Sequence, residues 1–240
     1  MKRKHSLLDS LKIVGQQALL PFLIIFVASW IAHGFKEISG ETGVLVSVLA
    51  MVASNLTIIL AYALFLNRRG RDMADEIKAN GPITLNWVGI SVLVSFIPLL
   101  IGIFSNKVIQ PIFFETANTT TELLNYDGSF SLVVSVFYPL VLAPITEEFI
   151  YRGISGNLLQ VFDDYTPKGN RILFVLLSSF FFALMHLQTG LSPFGNFISF
   201  FSPFVSGIVF SSLYLKGKHL AYPMIAHILY NSLVLFMSQM

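Results

Sequence analysis

The chain has 240 residues, 55% of them hydrophobic and 12% charged, with a formal net charge of +2 and no cysteine. That small charge excludes a nucleic-acid partner held by electrostatics, and the missing thiols exclude disulfides, thiolate metal sites and a cysteine nucleophile. A mean hydropathy of +0.73, carried by runs near or beyond the roughly 18 apolar residues of a membrane span, indicates an integral membrane protein. The short alternating segments of a β-barrel do not occur.

Lys2, Arg3 and Lys4 precede Leu7, Leu11 and Val14 at helical spacing, which predicts an interfacial helix over residues 2–16. The apolar run Ala18–Ala32 reads as an uncleaved first span, with a signal peptide as the alternative. A second span is expected at Gly43–Leu66 and a third at Trp87–Phe104. Between them lie Asn67-Arg68-Arg69-Gly70-Arg71 and a mixed-charge surface segment. Residues 106–129 are polar, with turn chemistry at Asn118-Thr119-Thr120 and Asp127-Gly128. The fourth span is read as Phe130–Phe162, ended by Asp163-Asp164-Tyr165-Thr166-Pro167-Lys168-Gly169. The remaining spans are Ile172–Leu187, Phe194–Leu215 and Leu220–Met237. The expected fold is all-α: a polytopic transmembrane helix bundle of about seven spans, with residues 1–240 forming one integral membrane domain.

Lys and Arg set the orientation. With a cytoplasmic N-terminus, the inner segments hold Lys2, Arg3, Lys4, Lys12, Arg68, Arg69, Arg71, Lys78, Lys168, Arg171, Lys216 and Lys218. The outer ones hold Lys36 and Lys107.

Polar groups inside the apolar runs carry the chemistry, because a charge at mid-bilayer costs roughly 2.5–3.5 kcal/mol on insertion scales. In the fourth span, Glu148 and Arg152 are four apart, so an α-helix lets them pair. Glu147 points about 100° away and is left to face something else. Pro139 and Pro144 lie just before and are expected to kink the helix. Phe182 is one turn before His186, and His227 one turn before Asn231. Counted from the cytoplasmic ends of their spans, Glu147 and His186 lie at one depth and His227 is shallower, which tilt or a kink at Pro223 must absorb. Each residue also has a bland reading: a structural ion pair, a histidine or an asparagine bonding between helices, an aromatic in the packing. His5, His33 and His219 fall at membrane edges and receive no role.

Glu147-Glu148-x-x-x-Arg152, Phe182-x-x-x-His186 and His227-x-x-x-Asn231, in that order and each in an apolar span, resemble the CAAX protease and bacteriocin-processing (Abi) family. Its best-known branch removes the last three residues after a prenylated cysteine. Gly153 and Tyr151 also fit the pattern. The resemblance covers about residues 130–237, the expected protease core. It implies an intramembrane endopeptidase in which Glu147 and His186 activate the attacking water. His227 and Asn231 would stabilise the oxyanion, while Glu148, Arg152 and Phe182 support the site. No cofactor is favoured. A zinc ion is the alternative, with Glu147, His186 and His227 as its candidate ligands, although the His-Glu-x-x-His helix is missing. Expected partners are the lipid bilayer, a peptide or membrane-protein substrate, and a membrane regulator. The place is the cell membrane, as a multi-pass protein.

Two other functions compete. A non-catalytic bacteriocin-immunity protein or sensor-kinase regulator of the same fold would not require all four polar groups. A proton-coupled transporter using Glu147 and His186 would carry inverted repeats, and the sequence has none visible. The topology is directly testable: a reporter fused after Asn80 is expected to read cytoplasmic, and one at Asn118 external. Both on one side would mean that the third span does not cross.

Overall fold

The computed structural model describes residues 82–109, 133–154, 167–187 and 193–238, with positions 49–67 in part. The described positions from 49 to 67 are all helical, and all but Asn67 fall within the second expected span. The interfacial helix and the first span lie outside the described residues. Elsewhere the elements are α1 (Leu85–Phe104), π1 (Ser105–Ile109), π2 (Val133–Leu142), α2 (Ala143–Glu148), π3 (Phe149–Ile154), α3 (Pro167–Leu184), α4 (Pro193–Gly217) and α5 (Ala221–Ser238). Every described element is a helix. Two are long and apolar enough to cross a membrane, Leu85–Ile109 and Pro193–Gly217; Arg171–Leu184 and Ala221–Met237 are shorter apolar helices.

The elements fall into two compact units. Lys78–Glu148 with Val175–Met240 forms one, and Met1–Ile77 with Phe149–Phe174 the other. In the first unit α5 packs on α1, α4, α2 and π2, and α1 also packs on α4. A core of Phe210, Leu213, Tyr222 and Ala226 is flanked by Trp87, Val88, Val94, Val209 and Tyr230.

The burial pattern is inverted relative to a water-soluble bundle. On α1 the serines Ser91 and Ser95 are buried, while Leu85, Leu93, Phe96, Ile97 and Leu100 are exposed. Lipid gives no drive to hide leucine, so small residues fill the helix contacts instead. Their hydroxyls are satisfied at home: Ser91 donates to the Trp87 carbonyl at 2.7 Å and Ser95 to that of Val92 at 2.7 Å. Between α3 and α4, Ser211 donates to the Ser178 hydroxyl at 3.3 Å. Gly207 lies so near Ser179 that a Cβ would come within 2.8 Å of its backbone.

The turn between α4 and α5 shows why sequence alone misplaces its glycine. Lys218 takes the left-handed conformation, φ 57°, and its amide closes α4 on the Tyr214 carbonyl at 2.8 Å. Glycine would suit that position better, yet the glycine is Gly217. Its missing side chain makes room for Tyr222, whose ring would stand 2.5 Å from a Cβ there. Tyr222 is 2% exposed and has work at both ends: its hydroxyl accepts from the Thr84 amide at 3.0 Å and its ring packs on Trp87. His219, given no role from sequence, accepts from the Ala221 amide at 3.1 Å and so caps the start of α5.

The fourth span is continuous helix from Val133 to Ile154, but its register changes twice, from π to α at Ala143 and back to π at Phe149. This corrects the expectation of a plain kinked α-helix. The α3 helix ends at Leu184, three residues short of the expected boundary at Leu187. The Gly217 argument yields a paired outcome. Lys218→Gly should stabilise the protein by about 1 kcal/mol, the left-handed penalty. Gly217→Ala should destabilise it by about 1–3 kcal/mol through overpacking on Tyr222. Thermal unfolding in detergent checks both signs.

Candidate active site

The α2 helix carries the two adjacent acids, and α5 carries a histidine between them. Nδ1–H of His227 donates to Oε1 of Glu148 at 2.9 Å. Its Nε2 stands 3.8 Å from Oε2 of Glu147, too far for a hydrogen bond. Glu148 has no exposed surface and His227 is 3% exposed, whereas the Glu147 side chain is 29% exposed. One residue of α-helix turns a side chain by about 100°, so consecutive carboxylates reach opposite nitrogens of one ring. The outer acid, Glu147, keeps access to the surroundings.

The ring of His227 is clamped by aromatics. Phe210 of α4 stacks on it at 4.7 Å and 26°, and Phe182 of α3 meets it edge-on at 5.7 Å. Phe182 also packs against His186 at 4.7 Å, so one phenyl ring separates the two imidazoles. His186 lies just past the end of α3, in a turn. There its amide bonds to the Ala183 carbonyl at 3.0 Å, a tightened i to i−3 bond. The Phe182 carbonyl accepts instead from Nδ1–H of His186 at 2.8 Å. A carbonyl only accepts, so this bond places the proton on Nδ1 and leaves Nε2 as the basic end of the neutral ring.

Asn231, one turn beyond His227 on α5, donates from its amide nitrogen to the Pro139 carbonyl at 2.8 Å. That uses one of its two N–H groups. Thr146 donates from its hydroxyl toward the Leu142 and Ala143 carbonyls at 2.9 and 3.0 Å, at the change from π2 to α2.

The geometry therefore gathers Glu147, Glu148, Phe182, His186 and His227 into one cluster, with Asn231 anchored beside it. Arg152 belongs to the other unit, where it is wholly buried with its guanidinium 6.0 Å above the Tyr151 ring. The register changes from α to π just after Glu148, at Phe149.

Sequence reasoning missed Phe210, the Pro139 carbonyl and the Thr146 hydroxyl. Phe210 is one of 23 phenylalanines, with nothing local to mark it. The carbonyl had a signal, since Pro144 lies five residues on and cannot donate to it. Zinc catalysis needs three protein donors meeting at about 2.0–2.2 Å. Among the described residues no group of three His, Asp or Glu side chains stands ready to hold a metal ion.

Among the described residues, an apolar set of helices holds a partly exposed carboxylate, Glu147, near an imidazole that a buried acid orients. A family model for type II CAAX prenyl endopeptidase Rce1-like proteins matches residues 129–233, which include every site residue named above. The membrane-embedded CAAX protease MroQ of Staphylococcus aureus is 26% identical over 221 residues, covering 90% of this chain and 81% of that protein. No solved structure matches. In both comparisons the chain is similar to proteases of the CAAX type, one of them embedded in a membrane.

The Glu148 bond separates two substitutions. Glu148→Gln keeps an acceptor for Nδ1–H of His227 and should retain the fold with reduced activity. Glu148→Leu removes it and should cost about 1.5–3 kcal/mol, the worth of a hydrogen bond to a charged group. Unfolding in detergent, alongside 15N spectra of the His227 ring, measures both. Equal stability of the two variants would count against the bond.

Proposed function

We propose that this chain is a metal-independent, multi-pass endopeptidase of the cell membrane, with about seven spans and a cytoplasmic N-terminus. It would hydrolyse peptide bonds of membrane-associated peptides or proteins. The observation that carries the reading is the bond of Glu148 to Nδ1 of His227 at 2.9 Å, with the partly exposed Glu147 3.8 Å from the other nitrogen.

In this reading the Glu147 carboxylate takes a proton from a water as its oxygen attacks the scissile carbonyl carbon. The unprotonated Nε2 of His186 accepts from the same water and orients it. General-base positioning of this kind contributes about 10²–10⁴-fold. The carbonyl oxygen becomes an oxyanion, met by Nε2–H of His227 and the second N–H of Asn231. His227 then carries protons on both nitrogens, and the Glu148 carboxylate on Nδ1 balances that charge. When the tetrahedral intermediate collapses, the C–N bond breaks and Glu147 returns its proton to the departing amine. No acyl-enzyme forms. The oxyanion donors are each worth about 10²–10³ in kcat. Prenylated substrates, the class in the description of the matching family, are one to assay here; bacteriocin leaders and membrane-anchored regulators are others.

Glu147→Gln should leave a folded protein that no longer cleaves. The measurement compares the peptides of membranes holding the wild-type and Glu147→Gln chains. Fragments that vanish with the substitution, and persist through strong chelation and dialysis, support the reading. Cleavage by Glu147→Gln sinks the glutamate mechanism, and activity restored only by added metal sinks its metal-free form.

A further inference from the structure

Pro144 stands between the two acids' helix and the π segment before it, and the reaction as derived gives it no part. Its position in the backbone ladder does. In π2 each carbonyl accepts from the amide five residues further on. Five on from Pro139 is Pro144, which has no N–H. The π ladder ends there and α2 begins at Ala143. The Pro139 carbonyl is met instead by the Asn231 amide at 2.8 Å. Both hydrogens of an amide lie in one plane at fixed angles. Anchoring one on Pro139 therefore fixes where the other points.

We propose that Pro144 is a positioning residue for hydrolysis: by lacking an N–H it reserves the Pro139 carbonyl for Asn231, and so aims the second Asn231 N–H. This rests on the reading of Asn231 as an oxyanion donor and extends it to a residue that touches no reacting atom. The alternative is that Pro144 merely starts α2, where a proline in the first turn is well tolerated because its N–H would be spare. That role predicts altered stability with the Asn231 amide unmoved.

The test uses the full chain in lipid vesicles and three forms of position 144: proline, alanine, and lactic acid placed by nonsense suppression. Alanine supplies an N–H. The lactic acid ester has the same methyl group, no ring and no N–H. The first readout is the 15N signal of the Asn231 side-chain amide, assigned by its loss in Asn231→Ala. The second is the rate at which the Glu147-dependent fragments appear. In Pro144→Ala the new amide competes for the Pro139 carbonyl. The Asn231 signal should shift and exchange faster with solvent, and cleavage should fall about tenfold or more, as small misplacements of a catalytic group do. The ester form should match proline in both readouts. An Asn231 signal unchanged in Pro144→Ala overturns the proposal. So does an ester form that behaves like alanine, which would assign the effect to the ring. If the alanine form does not fold, the ester form still decides, by keeping or losing the Asn231 signal. Should Asn231→Ala cleave normally, the oxyanion reading fails on its own, while the amide signal still reports whether Pro144 holds Asn231.

Discussion

Glu148 has no exposed surface, and its carboxylate oxygen sits 2.9 Å from Nδ1 of a histidine that is itself 3% exposed. Removing one partner of a buried hydrogen bond costs about 1–3 kcal/mol, because the other stays behind in a medium that cannot solvate it. The bond therefore fixes more than two side chains. It docks α2 against α5, and it settles the rotation of the imidazole about its own axis. It also decides which way the neighbouring acid faces. With Glu148 committed to Nδ1, the helical turn of one residue carries Glu147 round to the Nε2 side, where it is partly accessible. A buried acid holds the ring and an open one is free to do chemistry.

The backbone around this pair departs from the α ladder more than elsewhere among the described residues of the first unit. Two prolines five apart, Pro139 and Pro144, flank the change from π to α, and α3 tightens just before His186. In a bilayer each freed carbonyl needs a partner from the protein. Here side chains supply it: Asn231 for Pro139 and His186 for Phe182. Satisfying these carbonyls and orienting the polar groups of the site are the same set of bonds. A backbone group left unmet would cost about 1–3 kcal/mol, which is what holds the side chains in place.

Much of this was legible in the chain. Polar residues stand out against apolar runs, so Glu147, Glu148, His186, His227 and Asn231 were identifiable, and their i, i+4 spacings pointed to common faces. The helices from Leu85 to Ser238 fall within a few residues of their expected places. Register was not legible. A π turn leaves no signature in residue type, so neither the change of register at Phe149 nor the bond between Glu148 and His227 could be read from spacing. Phe182 was marked for its ring, yet its carbonyl also fixes the His186 tautomer, and every residue type has a carbonyl. Phe210 packs on His227 from a helix with no polar marker near it. Contacts between distant helices made that residue matter, and local sequence does not encode them.

The π register of Val133–Leu142 has a bearing on how this protein tolerates change in length. A π turn is what an α-helix becomes when one residue too many is accommodated without a loop. Losing a single residue from that segment would let it relax to a plain α-helix and repair the ladder, a local gain in backbone order. A loss from α2 has no such reserve: it would swing the acids after it by about 100° about the helix axis, carrying Glu147 and Glu148 away from His227. One residue should therefore be dispensable before Ala143 and indispensable after it.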